Sequence, residues 1–232
     1  MWLTKDKLIH HTATGIISQQ GTSGNWATVG RRRRRRGGRR LQRQQGKEKW
    51  RRVEVRVGTL NVGTMTGKGR EGADMMERRK VDMLCVQETK WKGSKARNIG
   101  GGFKLFYHGV DGKRNGVGVI LTEEYNKSVV EVKRVSDRVM NVKLEVEEMM
   151  INVISAYAPQ VGCEMEEKDK FWSELDEVVE GVPRNERLVN GADLNGHVGE
   201  GNRGDEEVMG RYGLKERNVE GQMVVDFAKR IC

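Results

Sequence analysis

Val129-Val130-Glu131-Val132-Lys133-Arg134-Val135-Ser136-Asp137-Arg138-Val139-Met140-Asn141-Val142-Lys143-Leu144-Glu145-Val146, residues 129–146, decides the fold class of this chain. In its second half Met140, Val142, Leu144 and Val146 alternate with Asn141, Lys143 and Glu145. That is the period-2 pattern of a strand with one buried face. Ser136-Asp137 separates this run from the one before it and reads as a hairpin turn. Residues 150–157 follow as a further, mostly buried strand.

Working upstream, residues 53–57 alternate strictly, residues 70–81 read as a short helix, and residues 81–87 as a buried strand. Residues 103–108 and 115–121 are two more strands, the second with glycines at alternate positions, which suits close approach of another element. Downstream, residues 167–180 place Phe171, Trp172, Leu175, Val178 and Val179 on one helical face. A strand over residues 188–193, a Gly-rich loop and an amphipathic helix over residues 221–231 complete the pattern. Antiparallel hairpins outnumber βαβ units, so the class is α+β, with sheets packed on each other and helices outside.

The charge is split along the chain. Residues 1–56 carry 16 of the 43 Lys and Arg and 3 of the 33 Asp and Glu, leaving a body with 27 against 30. Arg31, Arg32, Arg33, Arg34, Arg35, Arg36, Arg39 and Arg40 surround Gly37-Gly38. So dense a run of like charge repels itself and stays extended, which makes residues 1–52 a disordered basic arm and residues 53–232 the folded domain. The arm reads either as an electrostatic ligand for nucleic acid, RNA included, or an import receptor, or as an incidental solvated tail. The three cysteines, Cys85, Cys163 and Cys232, are odd in number and lack CxxC spacing. This usage points to a reducing, intracellular setting, nuclear or cytoplasmic, and not to secretion. No apolar run approaches 18 residues, so no membrane span is expected.

Several polar residues close apolar runs. Asp193 and Asn195, in Gly191-Ala192-Asp193-Leu194-Asn195-Gly196-His197, stand two apart after a strand and share a face. The Asp can orient or deprotonate a water while the Asn donates to a phosphate oxygen. Glu88 ends Met83-Leu84-Cys85-Val86-Gln87 and can anchor Mg²⁺, which needs only one or two carboxylates beside water and substrate oxygens. Tyr157 ends its strand before Pro159, with a hydroxyl free to meet a phosphate, or else caps the sheet as a core residue. Asn61 ends the run 53–60. Alone, each has a plain structural reading. Together they mark strand ends, where sites gather, and suggest a metal-dependent phosphodiesterase.

These blocks, Gly58-Thr59-Leu60-Asn61-Val62, Val86-Gln87-Glu88-Thr89, Ser155-Ala156-Tyr157-Ala158-Pro159 and Ala192-Asp193-Leu194-Asn195, resemble the successive motifs of the endonuclease/exonuclease/phosphatase superfamily. The variant resembles the endonuclease domain of non-LTR retrotransposons, and Gly210-Arg211-Tyr212-Gly213-Leu214-Lys215-Glu216-Arg217-Asn218 fits that subgroup. The resemblance implies a four-layer αββα sandwich of two packed, mainly antiparallel sheets, with a metal site at one edge. It implies Mg²⁺, with Mn²⁺ as a substitute, on Glu88, Asn61 organising the metal–phosphate network, and both on the metal side of the site. Tyr157 and Asn195 would contact the scissile phosphate and Asp193 would align the attacking water; DNA is the implied substrate.

The chain also departs from the family. Gly63 stands where many DNA-repair members carry Asp, and Ala192 where Gly is usual. The family's later motifs, an Asp-bearing strand and a terminal His, are not found before Cys232, so the domain is expected to be incomplete at its C-terminus and its turnover weak or absent. His10, His11, His108 and His197 do not replace that histidine by position. Whether the chain is an enzyme is thus left open between a Mg²⁺-dependent DNA endonuclease domain and a non-catalytic nuclear protein, derived from a retrotransposon endonuclease, that binds nucleic acid or chromatin. A third reading keeps the fold and changes the substrate to a lipid phosphodiester, which the near-neutral body and the retrotransposon-like motifs disfavour.

Overall fold

The computed structural model describes residues 9–16, 52–199, 204–205, 208–209 and 216–231. Its strands are β1 (Ile9–Ile16), β2 (Arg52–Asn61), β3 (Met83–Gln87), β4 (Gly93–Gly100), β5 (Phe103–Gly109), β6 (Val117–Leu121), β7 (Val129–Ser136), β8 (Val139–Val146), β9 (Met149–Tyr157) and β10 (Arg187–Asp193). The helices are α1 (Gly69–Arg79), α2 (Glu123–Asn126), α3 (Met165–Glu180) and α4 (Val219–Ile231). One sheet has six strands in the order β1-β2-β3-β6-β5-β4, and the other has four in the order β10-β9-β8-β7.

The α+β sandwich expected from the sequence is present. The β7–β8 hairpin turns through Asp137 and Arg138, one residue later than the sequence suggests, because Ser136 still pairs with Val139. Among the pairs from β2 to β10, two are parallel, β2 with β3 and β9 with β10, and the others are antiparallel. The two parallel pairs matter most for function, since their strands end together.

Alternation along each strand builds the layers. Leu84, Val86, Leu105 and Ile120 face α1, where they pack with Ala73, Met76 and Met65. Ile154, Ala156 and Val139 face the other way, under Phe171, Leu175 and Val178 of α3 and Val224 and Phe227 of α4. Both groups are almost fully buried, at about 1.5–3 kcal/mol for each large side chain removed from water. Helix α1 is closed by Lys80 in the left-handed region (φ 54°), whose N–H returns to the carbonyls of Met76 and Glu77.

Between the sheets lies a polar seam. Gln87 is fully buried, and its Nε2 reaches Gly191 O at 3.1 Å, Thr59 Oγ1 at 3.2 Å and Ser155 Oγ at 3.4 Å. Ser155 Oγ donates to Val86 O at 3.1 Å and Cys85 Sγ to Ile154 O at 3.5 Å. The sheets come so close here that a Cβ on Gly191 would lie 2.5 Å from Cys85 Sγ. Burial pushes the Cys85 thiol up to about 12, against a smaller lowering by the backbone of Gly191.

Three details differ from the sequence reading. Strand β4 is missed because it is an exposed edge whose residues, Ser94 to Asn98, show no apolar alternation. Strand β1 falls within the segment where composition predicts no regular structure. In the acidic run Asp205-Glu206-Glu207, which by composition reads as a solvated turn, Asp205 is buried and bonds to Arg217 Nη2 at 2.6 Å and Lys229 Nζ at 2.5 Å. Cations brought from α4 and its approach segment offset the cost of burying that carboxylate. Residues 31–40 with their arginines, and residues 210–215 of the subgroup motif, lie outside the described residues. Among the described residues no helix is long and apolar enough to cross a membrane.

Candidate active site

The parallel pairing decides the site. Asn61 is the last residue of β2, Glu88 follows β3 directly, Tyr157 ends β9 and Asp193 ends β10, with Asn195 two residues on. All five candidates named from the sequence therefore emerge at one edge of the sandwich, two from one sheet and three from the other.

Their side chains meet. The Asn61 amide donates to Glu88 Oε1 at 2.8 Å and to Asp193 Oδ2 at 2.9 Å, so one nitrogen bridges two carboxylates from different sheets. Its orientation is fixed at the other end, where Asn61 Oδ1 accepts the Gly63 N–H at 3.0 Å. Tyr157 OH donates to Glu88 Oε1 at 2.7 Å. Asn195 donates from its backbone to Asp193 Oδ1 at 3.3 Å and from Nδ2 to Ala158 O at 2.7 Å. Lys90, unmarked in the sequence reading, adds its ammonium 3.3 Å from Glu88 Oε2.

The electrostatics follow from these contacts. Partial burial alone would raise the Glu88 carboxyl, but donors from Asn61, Tyr157 and Lys90 outweigh it and hold the group below its ordinary 4.5. Tyr157 moves in the opposite sense: burial first, then its bond to Glu88, pushes the phenol up to about 12. At neutral pH the edge thus presents an ionised Glu88 beside a protonated Tyr157.

The backbone is strained at these strand ends. Glu88 (φ 55°), Lys90 (φ 52°) and Asn195 (φ 47°) occupy the left-handed region without being glycine, at about 1–3 kcal/mol each. Surrounding bonds hold the Glu88–Lys90 segment there: Val62 N–H to Gln87 O, Met65 N–H to Thr89 O, Thr89 N–H to Gly116 O and Lys90 N–H to Asn115 O, all 2.9–3.0 Å; Asn195 is held by its bonds to Asp193 Oδ1 and Ala158 O. Gly116 (φ 88°) is required, since a side chain there would strike the Thr89 hydroxyl.

The donor set fits a hard divalent cation. It is oxygen-rich, with two carboxylates on strand ends of the two sheets, and Mg²⁺ asks for one or two. Among the described residues no three His, Cys, Asp or Glu side chains converge, so the edge lacks the closed nitrogen and sulfur cage of structural zinc. Asn61 presents its NH₂, not its oxygen, to the carboxylates, which makes it the link that holds them together.

Of the histidines outside the site, His108 pairs with Ser94 Oγ at 2.6 Å on β4, and His197 is an exposed loop residue whose N–H meets Asn218 Oδ1. The sequence did not reveal Lys90, the Gln87 seam or the supports from Asn115. Gln87 had one signal, a lone amide in an unbroken apolar strand.

No family model matches the chain. It is 29% identical to craniofacial development protein 2 of Bos taurus over 176 residues, 75% of this chain and 29% of that protein. The chain thus spans less than a third of the length of this curated relative. Among solved structures, an AP endonuclease from Archaeoglobus fulgidus superposes with a TM-score of 0.52 at 18% identity, covering 76% of this chain and 70% of that one. The endonuclease domain of TRAS1, a telomere-specific non-LTR retrotransposon, gives 0.52 at 14% identity over 76% and 70%. At such identities the structural likeness speaks for the fold, and the curated relative and the ordered motifs add sequence to it. Fold, ordered motifs and the curated relative together support assignment of the chain to the endonuclease/exonuclease/phosphatase superfamily.

Proposed function

We propose that the strand-end cluster is a divalent-metal phosphodiesterase centre directed at DNA. The observation that carries this reading is the Asn61 amide, which gathers Glu88 and Asp193 from two sheets onto one nitrogen. Glu88, with Asp193 beside it, would hold Mg²⁺ or Mn²⁺. Bound there, the ion polarises a phosphoryl oxygen and neutralises charge on the leaving oxygen.

The protein's own groups do the rest. Asp193 accepts from Asn61 through one oxygen and keeps its carboxylate at the mouth of β10, placed to orient or deprotonate a water. Tyr157 keeps its single proton at neutral pH and gives it to Glu88 here, a bond for which a phosphate oxygen would compete. Asn195 uses one amide hydrogen on Ala158 O and retains the second for a phosphate. Lys90 adds positive charge beside an anionic substrate. The Arg run at residues 31–40 would add sequence-independent attraction to the phosphate backbone of DNA, and of RNA. A DNA substrate and the unpaired thiols of Cys85 and Cys163 support an intracellular setting, nuclear or cytoplasmic.

A second reading, nucleic-acid binding without turnover, has one observation in its favour: neither His108 nor His197 bonds to any of the five site side chains. Loss of a general acid or base costs about 10²–10⁴ in rate. The test is nicking of supercoiled plasmid by the purified chain with Mg²⁺. Nicking that vanishes in both Glu88→Gln and Asp193→Asn is expected. DNA binding without nicking in the parent chain would instead support the binding reading.

A further inference from the structure

The two-residue turn Asp137-Arg138 touches both halves of the site, although neither residue lies in it. On the six-stranded side, Asp137 O accepts the Gly116 N–H at 2.9 Å, and Asp137 Oδ2 accepts the Asn115 amide at 2.8 Å. Asn115 and Gly116 in turn accept the backbone N–H groups of Lys90 and Thr89, the two residues after Glu88. On the four-stranded side, Arg138 brackets the backbone of Tyr157: its carbonyl accepts the Tyr157 N–H at 2.8 Å, and its Nη1 donates to Tyr157 O at 3.2 Å. The guanidinium also lies 5.3 Å from the centre of the Tyr157 ring and is anchored to Glu167 Oε1 at 2.6 Å. One turn thus grips the segment carrying Glu88 with one residue and the strand carrying Tyr157 with the next.

We propose that Asp137 and Arg138 are positioning residues whose turn sets the approach of Tyr157 to Glu88 across the two sheets. The turn belongs to β7–β8, far in sequence from both partners, and the Asn115–Asp137 bond is its side-chain link to the Glu88 segment. Shifting that bond moves one partner against the other without removing either. The proposal rests on the metal-centre reading for its consequence, but not for its geometry.

The test uses the full chain without metal and then with Mn²⁺. Asn115→Gly removes the amide donor while keeping a residue at ease at φ 54°, so the fold is retained; Asp137→Ala removes the acceptor. Both variants should shift the side-chain NH₂ resonances of Asn61 and the ring resonances of Tyr157. Both should also weaken Mn²⁺ binding about tenfold, at the lower end of what loss of an outer-shell partner brings. Asp137→Asn, which keeps an acceptor oxygen, should restore both readouts. Unchanged Asn61 and Tyr157 resonances in folded Asn115→Gly would overturn the proposal. If Glu88→Gln binds Mn²⁺ as the parent does, the metal-centre reading fails, and the resonances alone still decide the positioning role.

Discussion

Replacing Gln87 by Leu tests whether the polar seam between the sheets is what holds the site's two halves in register. Leucine nearly matches glutamine in volume, so no large cavity opens, and the loss is one of hydrogen bonds. Three buried or half-buried groups lose a partner: Gly191 O, the Thr59 hydroxyl and the Ser155 hydroxyl. Ser155 keeps its bond to Val86 O and loses least. The Gly191 carbonyl stays in the ladder with β9 and loses only its second donor, about 1 kcal/mol, and the half-buried Thr59 hydroxyl adds about 1 kcal/mol. The expected destabilisation is therefore about 2 kcal/mol. With a slope of about 2 kcal/mol/M in urea, the unfolding midpoint should fall by roughly 1 M at unchanged slope. A midpoint within about 0.2 M of the parent would refute the reasoning, because it would show the seam contributing no more than a surface contact.

Other consequences follow from the same structure. Lys168 Nζ and Glu220 Oε1 form a buried pair at 2.9 Å that ties α3 to the start of α4, so Lys168→Ala should cost about 3–5 kcal/mol in urea unfolding by stranding the carboxylate. Two carboxyls at α4 have folded-state values below their ordinary ones, Asp205 through its bonds to Lys229 and Arg217 and Glu220 through its bond to Lys168. Their stabilisation is complete above the unfolded values near 4 and is lost as pH falls through the lowered folded values. The protection of α4 amides, measured against the intrinsic exchange rate at each pH, should therefore fall below about pH 4. Cys85 should resist alkylation at pH 8 in the folded chain while Cys163, partly exposed, reacts, as peptide mapping by mass spectrometry would show.

The candidate site's residues were legible in the sequence because they close strands. Apolar runs ending at Asn61, Glu88, Tyr157 and Asp193 carry their own punctuation, and parallel pairing of β2 with β3 and of β9 with β10 brings those ends to one edge. Apolar periodicity likewise revealed α3, at helical spacing, and the β7–β8 hairpin, at period 2. What stayed hidden depends on partners remote in the chain. Gln87 looks like a stray polar residue until Gly191, 104 positions away, lies against it. Asp205 looks solvated until α4 delivers Lys229. The supports from Asn115, Asp137 and Arg138 are bonds between loops, which no local period records. Strand β4 escaped because an edge strand exposed to water needs no apolar alternation.

The central claim, that Glu88 and Asp193 form one metal-holding centre around Asn61, is tested most directly by titrating Mn²⁺ into the ¹⁵N-labelled chain and following the Asn61 side-chain NH₂ signals. The account predicts that substoichiometric Mn²⁺ broadens those signals first, together with backbone signals at the ends of β2, β3 and β10, and that Glu88→Gln abolishes the effect. Broadening that starts elsewhere, or that is identical in Glu88→Gln, would contradict it.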